Sequence, residues 1–140
     1  MPAILKDKIK LIERKKIEDH RGWFLKVING KEEGLPDYTG EVYITVANPG
    51  EMKGGHYHPE ANEWFTLISG NCLVQLYDTE TNEELTIELN ANEPFTLFVP
   101  NKIAHAFVNT DKQEQFMLMA YSDQLYKPMD TITFSFLNVE

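Results

Sequence analysis

Three of the chain's four histidines fall in two short segments, His56 and His58 in GGHYHPEANEWF and His105 in VPNKIAHAFVN. Side chains two apart on a strand point to one face, so the first two imidazoles make a two-toothed clamp. Glu63 stands five residues beyond His58, past a turn marked by Pro59 and Asn62, and opens the next strand. From there its carboxylate reaches back to the same face. Three imidazoles and one carboxylate arriving from neighbouring strands, His56, His58, Glu63 and His105, suit one divalent ion, with positions left open for water or a substrate oxygen. Zinc is the first expectation for that donor set, with iron, manganese or nickel able to take it. Shuffling the chain's own residues would produce the His-x-His-x4-Glu string in about one chain in a hundred. The bland alternative is a polar cluster that holds no metal.

The rest of the composition bounds what can carry such a site. The chain has 140 residues, 42% hydrophobic and 25% charged, as expected of one soluble globular domain over 1–140. Its apolar runs are too short for a membrane span, and MPAILKDKIK has no apolar stretch behind its lysines, so neither a membrane partner nor a signal peptide is expected and the cytoplasm is the expected location. The single cysteine, Cys72, cannot form an internal disulfide and reads as a small core residue. A net charge of −9 argues against nucleic acid, whose phosphates demand clustered cations. Nine of the thirteen lysines and arginines nevertheless fall in residues 1–31, against four of the twenty-two acids. That basic arm is either a solvated edge or a contact for a small anion or a second subunit's acidic body.

Period-two segments dominate the chain, near 23–28, 42–47, 63–69, 72–77, 85–89, 95–99, 104–109, 115–121 and 131–136, which makes nine or ten short strands. Turn signals separate them, among them Asn29-Gly30, Asn48-Pro49-Gly50, Gly54-Gly55, Ser69-Gly70-Asn71 and Pro100-Asn101. The pattern predicts an all-β sandwich or barrel, with Lys8 to Ile17 ambiguous between an edge strand and a short helix.

Gly50-x5-His56-x-His58-x4-Glu63-x6-Gly70 resembles the first cupin motif, and Pro100-x-Lys102-x2-His105-x3-Asn109 the second. Lys102 and Pro94 stand where the second motif has glycines, so those turns must be built differently. The resemblance covers residues 50–109 and implies a jelly-roll barrel, with metal held inside it by His56, His58, Glu63 and His105. Asp19-His20-Arg21-Gly22-Trp23-Phe24 further resembles a string near the start of the rhamnose-pathway nucleotide-sugar epimerases, and Lys53-Gly54-Gly55-His56-Tyr57 their arginine-glycine-x-histidine-tyrosine segment. Closer in character is the metal-retaining C-terminal cupin of bifunctional capsular-sugar epimerase/reductases.

That likeness implies an isomerase, an epimerase or 3,4-ketoisomerase acting on a 4-keto nucleotide-linked deoxysugar in cell-surface polysaccharide synthesis, and a homodimer. A C–H next to a ketone is acidic because its anion is an enolate, so the site needs a base, a group that stabilises the oxyanion and an acid. The resemblance assigns the base to His56, although an imidazole that ligates metal has no free lone pair for the task. The family's tyrosine aligns near Met119, and Tyr121, on the same strand face, is its expected substitute. Substrate contacts are expected from Arg21, which would hold the diphosphate across a dimer interface, and from Lys53, His58 and His105. The same residues also suit two other functions, a metal-dependent oxygenase or small-acid isomerase and a non-catalytic cupin that binds a sugar or small effector.

Overall fold

The computed structural model describes residues 3–38 and 40–136. After a four-residue helix, α1 (Leu5–Lys8), come the strands β1 (Lys10–Glu13), β2 (Lys16–Asp19), β3 (Gly22–Leu25), β4 (Glu41–Ala47), β5 (Met52–Tyr57) and β6 (Glu63–Ser69). They are followed by β7 (Asn71–Asp78), β8 (Glu84–Asn90), β9 (Phe95–Val99), β10 (Ile103–Val108), β11 (Phe116–Ser122), a 3₁₀ turn at Pro128–Asp130 and β12 (Ile132–Thr133). Two five-stranded antiparallel sheets result, ordered β1-β9-β6-β11-β4 and β12-β5-β10-β7-β8, while β2 and β3 pair only with each other. From β4 onward the chain changes sheet at every step except the β7–β8 hairpin, which is the winding of a jelly roll.

The alternation of apolar residues closes the barrel. Phe116, Leu118 and Ala120 of β11 meet Cys72, Val74 and Leu76 of β7 in one buried core, with Phe65, Leu67, Leu97, Val99, Ile103 and Phe107 between them. Cys72 lies in that core, and burial pushes its thiol up to about 12. The odd-numbered residues of β6 point inward, which leaves Trp64 and Thr66 on the outer side of their sheet. There they are covered by the segment after β3. The Arg14 guanidinium pairs with Glu32, its Nε donates to Thr96 Oγ1 at 2.9 Å, and Thr96 donates to the Val27 carbonyl at 3.1 Å.

Three expectations shift. The ambiguous Lys8–Ile17 stretch contains the end of α1, the edge strand β1 and the start of β2. The last expected strand contracts to the two residues of β12. Gly54-Gly55 is no turn but a bulge inside β5, where Gly55 is the extra residue between the pairs His105↔His56 and Ala106↔Gly54. Both glycines have positive φ, and a Cβ on Gly54 would lie 2.9 Å from the His105 carbonyl oxygen, so the close approach of β5 to β10 requires glycine.

Candidate functional site

The bulge sets His56 directly opposite His105. His58 follows just beyond the end of β5, where its carbonyl accepts from Lys102 N at 2.7 Å. Lys102 adopts φ +69° and so makes without glycine the left-handed turn for which the motif has one. The ring centroids of His56, His58 and His105 lie 4.9, 5.0 and 5.5 Å apart, and their ligand nitrogens all fall within 4.8 Å of one another. Glu63 enters from the facing sheet. Its Oε1 lies 2.9 Å from His58 Nε2 and 3.5 Å from His105 Nε2.

The protons of this cluster can be traced. A backbone carbonyl only accepts, so His58 Nδ1, 2.8 Å from the Asp130 carbonyl, and His105 Nδ1, 3.2 Å from that of Ile103, must carry hydrogen. Both Nε2 atoms then turn toward Glu63 Oε1, and all three atoms are buried without an aligned hydrogen-bond partner. Lone pairs aimed at a carboxylate oxygen repel unless a cation or a proton lies between them. The donor set therefore fits a divalent ion, and the carbonyl on each far nitrogen is the support a metal-ligating imidazole receives.

The electrostatics divide the three rings. Burial holds His105 down to about 4. It also lowers His56, with His58 adding to the effect. For His58 the burial penalty is outweighed by Glu63 and the Asp130 carbonyl, and its pKa rises. Glu63 is held below the usual carboxylate range, since its own burial is outweighed by His58 and His105.

A cleft of about 370 Å³ opens over the cluster, within the range of small-molecule sites. His56, His58 and Glu63 form its floor, Glu41, Tyr43 and Ser122 one wall, and Gln124 to Lys127 with Asp130 and Thr131 the other. Tyr43 is 37% exposed overall, yet its Oη donates to Glu63 Oε2 at 2.6 Å. Desolvation there, together with the Glu63 charge, pushes the phenol pKa upward.

The remaining expected residues stand elsewhere. Tyr121 lies on the outer face of its sheet, because the inward positions of β11 are Phe116, Leu118, Ala120 and Ser122. It packs on Trp64 at 5.6 Å between centroids, and its hydroxyl accepts from Gly40 N at 3.1 Å, so the structure does not bring it to the histidines. Lys53, exposed opposite Phe107, does not line the cleft. Arg21 sits at the tip of the β2–β3 hairpin, 79% exposed and paired with Asp19 at 2.7 Å. The cleft tyrosine, Asp130 of the far wall, and Asp123, which precedes that wall and bonds Asn62, escaped the motif reading. Tyr43 could have been found only from the inward parity of β4, and no spacing signals the aspartates.

Residues 17–134 match the family described as polysaccharide biosynthesis C-terminal domain. The spore coat polysaccharide biosynthesis protein SpsL of Bacillus subtilis (strain 168) is 26% identical over 106 residues, which is 72% of this chain and 70% of that protein. Among solved structures, the dTDP-6-deoxy-D-glucose-3,5-epimerase RmlC of Legionella pneumophila Philadelphia 1, in complex with dTDP-4-keto-L-rhamnose, gives a TM-score of 0.81 at 18% identity over 94% of this chain and 75% of that one. The capsular polysaccharide assembling protein CapF of Staphylococcus aureus gives 0.66 at 20% identity over 88% of this chain and 33% of that one. These likenesses establish the shared jelly-roll cupin fold.

Proposed function

Because the chain belongs to the polysaccharide biosynthesis C-terminal domain family, we propose that it is an isomerase that epimerises, or moves the carbonyl of, a 4-keto nucleotide-linked deoxysugar by removing a proton next to the ketone. The observation that carries this reading is the convergence of His56 and Tyr43 on one cleft, from strands of the two different sheets, above the His58–Glu63–His105 cluster. SpsL carries a spore coat polysaccharide biosynthesis name, and RmlC was solved with a 4-keto sugar nucleotide, which favours the same substrate class here.

His56 takes the proton. Its depressed basicity keeps the ring neutral, with a lone pair free for the substrate C–H. Tyr43 keeps its phenolic proton throughout the working pH range, and a phenol is still a stronger acid than a C–H beside a ketone, so it can give that proton to the enolate. Return to the same carbon on the other face inverts the centre; return to a neighbouring atom moves the carbonyl. His58, Glu63 and His105 would hold the divalent ion, zinc first, through the three unpartnered atoms described above. Such an ion supplies stabilisation of the developing oxyanion. His56, near enough to be a fourth ligand, stays free in this reading. Ligation by His56 belongs to the second reading, a cupin that binds a sugar nucleotide without turning it over.

The diphosphate poses a charge problem. Among the described residues lining the cleft, Lys127 is the one ammonium, against Glu41, Glu63 and Asp130. The missing positive charge is carried by the arm, so we infer a homodimer in which Arg21 of one copy reaches the cleft of the other. Exposed Ile17, Trp23 and Phe24 on the same hairpin give that contact an apolar component. Incubation with a dTDP-4-keto-6-deoxyhexose in deuterated water tests the reaction. Deuterium at a ring carbon adjacent to the ketone is expected, and unlabelled sugar after prolonged incubation with metal-loaded protein would overturn it.

A further inference from the structure

The Asp130 carboxylate makes contacts that neither proton transfer nor metal binding uses. It is 7% exposed and closes the 3₁₀ turn Pro128–Asp130. Its main-chain carbonyl accepts from His58 Nδ1, while its carboxylate turns back on the chain just after that histidine, with Oδ1 accepting from Glu60 N at 2.7 Å and Oδ2 from Ala61 N at 3.1 Å. Pro59 has no N–H, so these are the first two amides available after His58. One residue thus grips the histidine ring and its following backbone together.

The neighbouring chain fixes this grip in place. Asp130 N donates to the Lys127 carbonyl at 2.9 Å, and β12, which starts two residues later, pairs Ile132 with Tyr57 and Thr133 with His56. At the other end of the same loop, Asp123 accepts from Asn62 N and Asn62 Nδ2, both at 2.9 Å. The loop that forms the far wall of the cleft is therefore clasped at both ends to residues 60–62, the link between His58 and Glu63. The two clasps differ in one respect: only Asp130 touches a histidine.

We propose that Asp130 is a positioning residue for His58, whose carboxylate clamp on Glu60 and Ala61 holds its own carbonyl against His58 Nδ1 and so keeps the Nε2 lone pair directed at the Glu63 side of the site. Glu63 competes for the same ring, since its carboxylate at 2.9 Å would draw a proton onto Nε2. The hydrogen bond from Nδ1 to the Asp130 carbonyl opposes that draw, and a carbonyl that drifts loses it. The consequence for turnover rests on the function proposed above; the ring geometry does not.

The test compares Asp130→Asn with Asp123→Asn, which loosens the other clasp of the same loop and serves as the structural control. In metal-free protein labelled with ¹⁵N-histidine, long-range ¹H–¹⁵N correlations taken at a pH where the rings are neutral report which nitrogen of His58 carries hydrogen. Nδ1–H is expected in the parent and in Asp123→Asn, and a mixture of tautomers in Asp130→Asn. Cobalt(II) titration read by its visible spectrum is expected to show affinity about 10–100-fold weaker in Asp130→Asn alone. If Asp130→Asn does not fold, Asp130→Glu, which keeps the charge but lengthens the reach, takes its place under the same criteria. A folded variant whose His58 keeps a single Nδ1–H tautomer overturns the proposal, as does an equal effect in Asp123→Asn. Failure of the parent to bind cobalt would count against the metal reading and leave the tautomer result to judge Asp130.

Discussion

The phenol of Tyr43, on the edge strand β4, reaches over β11 and donates to Glu63 of β6 at 2.6 Å. It is the hydroxyl that enters the cleft; that of Tyr121, on the outer face of the neighbouring strand β11, does not. Tyr43→Phe is expected to lower turnover by about 10²–10⁴, the ordinary contribution of one acid–base group, while metal content stays at the parent level. Tyr121→Phe, which loses only its contacts to residues 38 and 40, should change turnover by less than about threefold and stability by about 1 kcal/mol. Equal losses in both variants would return the acid role to the outer face. Steady-state rates and metal analysis decide.

His56 separates the two readings of the site. As base it is dispensable for the ion, so His56→Ala should abolish deuterium incorporation and retain stoichiometric zinc. His105→Ala, which removes a buried ligand, should lose the zinc itself. Chelation of the parent is expected to lower its melting temperature, because an ion that binds only the folded state stabilises it by mass action. Zinc lost from both variants would make His56 a ligand and favour the binding protein over the enzyme.

The quartet was legible because its members have rare types at fixed spacing, and strand parity carried the two halves of each motif to one face. The all-β reading rests on the same parity: 63–69 and 95–99 fold with the bounds their alternation suggests, although the described residues form twelve strands where nine or ten are expected. Parity alone does not say which face is inner. In β11 the polar-looking choice, Tyr121, lies outside and Ala120 inside; in β4, Val42 and Ile44 are exposed and Tyr43 lines the cleft. In β4 this follows from an edge strand bordering an open mouth, where an inner position meets solvent; in β11, flanked by β6 and β4, the outer position of Tyr121 is met by residues 38 and 40. Gly54-Gly55 read as a turn because glycine pairs mark turns and bulges alike. Asp130 left no local trace, since its partners are main-chain amides 69 and 70 residues away.

The bulge makes a quantitative claim. Gly50 and Gly54 both have positive φ, but a Cβ on Gly50 meets nothing within 4 Å, whereas one on Gly54 runs into the His105 carbonyl. Gly50→Ala should therefore show only the backbone cost, about 1 kcal/mol. Gly54→Ala adds a collision with β10 at the His56–His105 pair, with an expected loss of about 2–4 kcal/mol and a cobalt affinity weakened along with it. Chemical denaturation of the two variants checks the difference, and equal midpoints would mean that β5 can retreat from β10 at no cost to the site.

The homodimer can be tested through the arm. Sedimentation at micromolar concentration should give twice the chain mass, and Trp23→Lys with Phe24→Lys should shift it toward one chain. Arg21→Ala should leave the dimer intact and raise KM for the sugar nucleotide by about tenfold, the share of one charged hydrogen bond, with kcat little changed. A monomeric parent with full activity would remove the arm from the site.

The end of β7, beside α1, carries its own pH signature. Asp78 has a side chain with no exposure, and its carboxylate lies 2.7 Å from Lys8 Nζ on α1. Burial alone would raise its pKa, but Lys8 and the Glu80 amide outweigh that and hold it below the usual range. The folded state therefore releases this proton more readily than the unfolded chain. Its contribution is complete above the unfolded carboxyl pKa of about 4 and is lost as the pH falls through the lower folded value. Lys8→Met removes the counter-charge and leaves the buried carboxylate with the Glu80 amide and the Thr81 hydroxyl, which should cost about 1–3 kcal/mol at pH 7 and move the acid-unfolding midpoint upward. Urea melts between pH 3 and 7 measure both; a loss that is the same at every pH would assign the effect to lost packing of α1 and not to the ion pair.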